Sequence, residues 1–71
     1  MKYYDILLVT YSDDTEDKVA IYSYDSEDEA IANTYKYMGT YPNAENVATA
    51  CVTMMNNFGA IYKSESWQAA G

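Results

Sequence analysis

Tyr3 to Tyr11 (YYDILLVTY), Ser12 to Asp17 (SDDTED) and Lys18 to Tyr24 (KVAIYSY) form the stretch that decides the fold. A run dense in β-formers, without glycine or proline, leads into small and acidic residues and then into a second β-rich run. Branched and aromatic side chains suit a pleated surface, while Ser, Asp and Thr suit turns because they hydrogen-bond their own backbone. The stretch is therefore predicted to be a β-hairpin.

Downstream, the period changes. Ser26 with Glu29 three residues later is a capping box ahead of an apolar pattern. Ile31, Tyr35 and Met38 recur at i, i+4 and i+7, with Ala30 and Thr34 alongside, and so share one helical face. Gly39 stands where a C′ glycine belongs and Pro42 bars continuation, which predicts a helix from about Glu27 to Met38. Thr40 to Asn46 reads as a loop and Val47 to Met55 (VATACVTMM) as a strand. Asn56-Asn57-Phe58-Gly59 is turn chemistry, and Ala60 to Trp67 (AIYKSESW) returns. Alternation in that last run places Ile61, Lys63, Glu65 and Trp67 on one face and Tyr62 on the other, and residues 68–71 are expected to fray. The order is β-β-α-β-β. That is an α+β fold with a four-stranded antiparallel sheet and one helix, in a single small domain over residues 1–71 with its core about 3–67.

Both faces of the first strand are apolar: Tyr4, Ile6 and Leu8 point one way, Tyr3, Leu7, Val9 and Tyr11 the other. An antiparallel sheet bare to water on one face normally alternates apolar with polar. One helix covers one face, so the second wants a cover, and self-association to a dimer or higher oligomer is expected. Tyr3, Leu7, Val9 and Tyr11 are the expected oligomer interface. Size points the same way: a chain of 71 residues buries only about 60% of its unfolded surface, and its core supplies roughly 3–5 kcal/mol.

Eleven acids against four lysines, with no arginine or histidine, give a net charge of −7 and a pI near 4.1. That balance argues against direct DNA or RNA binding and against anionic membranes, where each phosphate contact needs a cation. A hydrophobic fraction of 49% is too high for a disordered acidic tail. One cysteine cannot form an internal disulfide. No apolar run approaches about 18 residues, and the N-terminus lacks the basic-then-apolar layout of a signal peptide. A soluble domain of a reducing, cytoplasmic compartment is expected.

Catalysis finds little support. Without histidine there is no neutral-pH imidazole base, and Cys51, mid-strand with nothing to activate it, reads as a small buried hydrophobe. Asp5, alone among apolar neighbours, is either a buried acid with a raised pKa or an edge or interface residue. No glycine-rich phosphate loop exists, neither acidic run has the spacing of a calcium loop, and one cysteine cannot build a zinc site. The expectation is a non-enzyme with no cofactor and no metal.

The acids themselves fall mostly in two runs. Asp25, Glu27, Asp28 and Glu29 open the helix, where the dipole favours anions. Asp13, Asp14, Glu16 and Asp17 occupy the hairpin turn and are candidates, with Tyr11 and Tyr22 nearby, to bind a basic protein by imitating nucleic-acid phosphates. The seven-residue strand between the runs spans roughly 23 Å, so the two clusters are expected near opposite ends of the sheet. Alternatively, nine tyrosines, among them Tyr22, Tyr24, Tyr35, Tyr37 and Tyr41, could stack on bases. Copies would then pool Lys18, Lys36 or Lys63 around an intersubunit pocket for a nucleotide ligand.

The layout KYYDILLVTYSDDTEDKVAIYSYDSEDEAIA, closed by NNFGAIYKSESW, resembles small proteins of bacteriophages and prophages of gut Firmicutes over nearly the whole chain. The resemblance carries no functional residue. It implies a setting in the host bacterial cytoplasm and roles such as inhibition of host defence by stoichiometric binding, sequestration of a nucleotide signal, or a structural or accessory part in the phage.

Overall fold

A computed structural model describes residues 1–69. The elements follow the expected order: β1 (Tyr3–Tyr11), β2 (Lys18–Tyr24), α1 (Glu27–Thr40), β3 (Val47–Asn56) and β4 (Ile61–Gln68). They build one antiparallel sheet in the order β2-β1-β3-β4. β2 and β3 both run antiparallel to β1 and so are parallel to each other. A parallel pair cannot be joined by a tight turn, which is why α1 lies between them as a crossover.

Ser26 caps α1 as its spacing requires: its side chain accepts from the Glu29 N–H at 3.4 Å, and Glu27, Asp28 and Glu29 fill the first turn. The C-terminal end differs from expectation. Gly39 lies within the helix, which runs on to Thr40 and closes with the Tyr41 N–H donating to the Tyr37 carbonyl at 3.0 Å. Helical backbone needs no positive φ, so the sharp stop belongs to Pro42 rather than to a left-handed glycine. At the other end of the chain, Gln68 is paired with Thr49 rather than frayed, and the Ala69 N–H reaches the Ala48 carbonyl at 2.8 Å. The expected fraying of residues 70–71 lies outside the described residues.

Register decides which side of the sheet the helix covers. Leu7 pairs with Val52 and Ala20, Val9 with Ala50, and Asp5 with Met54, and all of these side chains point under α1. Leu7, Val52 and Met54 have no accessible surface, and Val9 and Ala50 have almost none. Tyr11 packs at the margin of the same cluster, past a register shift at Thr10/Tyr11, and Tyr3 sits beside Tyr62 on the same side. Tyr3, Leu7, Val9 and Tyr11 are therefore not a free surface for a second chain. They form the floor of the core, and the uncovered face is the opposite one, with Tyr4, Ile6 and Leu8.

The helix seats itself through small side chains. Ala30 and Thr34 are fully buried, whereas Tyr35, placed by periodicity on the inner face, is 58% exposed. Small residues bring the helix axis close to the sheet, and the larger Ile31, Tyr37 and Met38 then flank the contact half-buried. In β4 a second irregularity, between Met54 and Met55, pairs Ile61 with Met55 on the open side while Lys63, Glu65 and Trp67 keep to the helix side. Alternation is thus broken at one point: Ile61 does not share a face with Lys63.

The β3–β4 turn explains a glycine. Asn56 Oδ1 accepts from the backbone N–H of Phe58 and of Ala60, at 2.9 and 3.1 Å, and the chain passes through Gly59 at φ +87°. Open space surrounds the glycine, so any cost of a side chain there is conformational rather than steric. Gly59→Ala is expected to lower stability by about 1 kcal/mol, read as a lower urea midpoint at unchanged slope.

Candidate functional site

Residues 12–17 join β1 to β2, and local bonds hold them in place. Asp13 Oδ1 accepts from the Thr15 N–H at 2.9 Å, an Asx-type turn, and Asp13 Oδ2 accepts from Asn46 Nδ2 at 3.2 Å. The N–H of Ser12 donates to the Asn46 carbonyl at 2.9 Å, and the Ser12 hydroxyl donates to the same oxygen at 3.2 Å. The turn is thereby fastened to the loop that enters β3. Hydrogen bonds from Thr15 and Asn46 hold the Asp13 carboxyl below its ordinary range.

Asp13 is thus committed to holding the turn. Asp14, Glu16 and Asp17 are exposed and belong to neither ion pair among the described residues, which join Lys2 to Asp25 at 2.5 Å and Lys63 to Glu65 at 3.0 Å. The nearest lysine in sequence, Lys18, turns inward: its ammonium donates to the Tyr41 hydroxyl at 2.9 Å and lies 5.4 Å from that ring's centre. The bond to Tyr41 raises the Lys18 pKa. Three carboxylates therefore stand together without a cation. The second acidic run is spent differently, with Glu27, Asp28 and Glu29 on the first turn of α1 and Asp25 paired to Lys2.

Tyr11 and Tyr22, expected beside these acids, are half-buried on the helix side. Tyr11 packs against the core, and Tyr22 stacks on Tyr37 with centroids 5.2 Å apart and planes at 26°. Tyr37 in turn meets Tyr41 at 6.5 Å, and its hydroxyl pairs with that of Tyr24 at 3.2 Å. The tyrosines therefore form one seam between β2 and α1, ring against ring. A nucleobase would have to compete with these contacts. Tyr35 stands apart, with the Lys63 ammonium 4.9 Å over its ring.

Asp5, by sequence either a buried acid or an edge or interface residue, is a buried acid with no accessible surface, beneath Thr34 of α1. Thr34 Oγ1 lies 2.7 Å from Asp5 Oδ1 and 2.9 Å from the Ala30 carbonyl. Asp5 Oδ2 has no hydrogen-bond partner of good geometry. Burial pushes the Asp5 pKa up, and the hydroxyls of Thr34 and Tyr24 temper the shift. Burial, with the Tyr37 hydroxyl second, pushes the Tyr24 phenol up as well.

Cys51, expected to be buried, is a free, half-buried thiol on the uncovered side of β3, in register with Leu8 and Ser66. A shallow hollow at the β3–β4 end is lined by Thr49, Ala50, Cys51, Ser66, Trp67 and Gln68 and brings together no acid, base or cation. Among the described residues no three of His, Cys, Asp and Glu converge as metal ligands, and no helix is long and apolar enough to cross a membrane. No protein-family model, curated protein or solved structure matches the chain.

Proposed function

We propose that the protein acts by stoichiometric binding, without catalysis, and that its acidic β1–β2 turn engages a basic, nucleic-acid-binding protein. One observation carries this reading: Asp14, Glu16 and Asp17 stand exposed and unneutralised on a turn that Asp13 and Ser12 tie to Asn46. A loop already held in one conformation loses little entropy on binding, and clustered carboxylates raise the encounter rate with a cationic surface. The contact area beside them comes from the exposed backbone of the turn rather than from Tyr11 or Tyr22, whose rings serve the core. In the bacteriophage setting that the sequence pattern resembles, the partner is a host defence protein.

The test is capture from a bacterial lysate by the immobilised protein, run beside the Asp14→Lys, Glu16→Lys, Asp17→Lys triple variant. Basic proteins retained by the native turn should fall at least about tenfold with the variant, elute at about 0.5 M salt, and be displaced by added duplex DNA. Retention indifferent to the reversal of all three charges would remove the acidic turn from the binding surface.

A further inference from the structure

The uncovered side of the sheet is built in rows that register makes explicit. Across β2, β1, β3 and β4 they read Ser23–Tyr4–Met55–Ile61, Ile21–Ile6–Thr53–Ser64, and Val19–Leu8–Cys51–Ser66, with Thr10, Thr49 and Gln68 beyond. Four of the aliphatic residues are largely bare: Val19 71%, Ile21 66%, Ile61 62% and Leu8 45% exposed. No row contains a charged residue, although the chain carries fifteen of them, eleven acids and four lysines.

We propose that this face is the seat of a second copy of the chain, two sheets packing face to face about a two-fold axis. The choice of occupant follows from the chemistry of the rows. In a two-fold pair each surface must complement itself, so like charges on it would meet. Aliphatic side chains, a thiol and hydroxyls all satisfy that condition, because apolar groups pack on their own kind and a hydroxyl both donates and accepts. The hydroxyls already pair within the sheet, Thr53 with Ser64 at 3.1 Å and Thr10 with Thr49. A cationic partner would find no carboxylate here and would have to bury its charge against Ile6 and Leu8.

Area fits a weak pair. A four-stranded face about seven residues long measures roughly 19 by 23 Å, and two such faces together come to about 900 Å² of flat area, just under the roughly 1,000 Å² that a specific interface clears and in the range of a concentration-dependent pair. Against this stands the repulsion of two chains of net charge −7. Asp5 is already buried beneath the helix, and the other acids lie on the turns and loops, on the first turn of α1 and on the helix side of β4, so none stands in the rows that meet. Salt screens the repulsion without weakening apolar burial, and association should therefore tighten as ionic strength rises. Binding through the acidic turn responds to salt in the opposite sense, so the two proposals stand or fall separately.

Light scattering across a hundredfold dilution should give a mass of twice 8.0 kDa at the concentrated end, falling towards one copy on dilution. Leu8→Lys, on a central strand, should raise the dissociation constant at least about a hundredfold while circular dichroism stays native, and Ile21→Lys should act alike. Tyr35→Lys, on the outer helix, should leave the mass unchanged. Alkylation of Cys51 in the native chain should slow as protein concentration rises, a readout that needs no variant. A single copy at every concentration, a mass above two copies, or a pair that survives Leu8→Lys would each overturn the proposal. The last of these would mean pairing through an edge strand, β2 or β4, instead.

Discussion

Leu7→Ala is expected to unfold most of the protein at 25 °C. Leu7 sits at the centre of the sheet with no accessible surface, between Val52 and Ala20 and under the helix. Truncating such a leucine costs about 2–5 kcal/mol, because the lost transfer energy is joined by a cavity that the close-packed surroundings only partly fill. A domain of this size has roughly 3–5 kcal/mol in all, so the loss is comparable to the whole stability. The contrast is the neighbouring residue. Leu8 is 45% exposed on the opposite face, and Leu8→Ala should leave the dilute chain folded, with a shift below about 1 kcal/mol. Urea titrations followed by circular dichroism measure both, and a Leu7→Ala protein with a native midpoint would mean that Leu7 is not in the core.

The second large effect concerns Asp5 and depends on pH. Thr34 has one hydroxyl proton and two acceptors within hydrogen-bond distance, Asp5 Oδ1 at 2.7 Å and the Ala30 carbonyl at 2.9 Å. With Asp5 ionised, one of those contacts lacks a hydrogen. With Asp5 protonated, its O–H donates to Thr34 Oγ1 and Thr34 donates to Ala30, so both are made. The groups facing the carboxyl are Thr34 from α1, Tyr22 and Tyr24 from β2 and Met54 from β3, and no lysine is among them. Burial favours the neutral acid and outweighs the opposing hydrogen bonds of Thr34 and Tyr24, which leaves the folded pKa above the unfolded value of 3.8.

The sign of the linkage follows. Between the unfolded pKa and the raised folded one, the folded state binds more protons than the unfolded chain, so stability falls as pH rises through that window. Asp5 favours folding fully below about pH 4 and becomes a penalty near neutrality. Asp5→Asn, a neutral isostere that can donate to Thr34 Oγ1, should gain on the native protein at pH 7 by on the order of 1 kcal/mol and lose that advantage by pH 4. Asp13 and Asp25, whose pKa values are lowered by Thr15 and by Lys2, act in the opposite sense at acid pH and are common to both proteins, so the difference isolates Asp5. Thr34→Val, which removes the hydroxyl beside Asp5 Oδ1, should cost about 1–3 kcal/mol. Parallel urea midpoints for the native and Asp5→Asn proteins across pH 4–7 would sink the assignment of a neutral, buried Asp5.

Much of the architecture was legible before any fold was in view. The hairpin, the Ser26 cap, the stop at Pro42 and the Asn56–Gly59 turn are all written in residues a few positions apart, because capping, turn formation and strand propensity act through local backbone chemistry. The exposure of the turn acids was legible in the same way, whereas their lack of a cation depended on Lys18 turning to Tyr41 and on both ion pairs lying elsewhere. The side of the sheet that the helix covers was not local information. β1 is apolar on both faces, and the choice between Leu7 and Leu8 rested on the pairing of β1 with β3, forty-odd residues away, which sets Leu7 against Val52 and Leu8 against Cys51. The threonines of β3, Thr49 and Thr53, marked the open face, yet only the register connects them to Ile6 and Leu8.

By itself, then, the sequence determined the order of the elements, their caps and turns, the net charge, and the absence of histidine and of a second cysteine. The tertiary structure decided what depends on contacts between distant residues: the burial of Asp5 beneath Thr34, the exposure of Tyr35, the ring-on-ring seam of Tyr22, Tyr37 and Tyr41, and the charge-free face around Leu8. The reason is physical. Local conformation follows from short-range sterics and hydrogen bonds, whereas burial is a property of whichever surfaces meet, and in a sheet a shift of one residue exchanges the two faces.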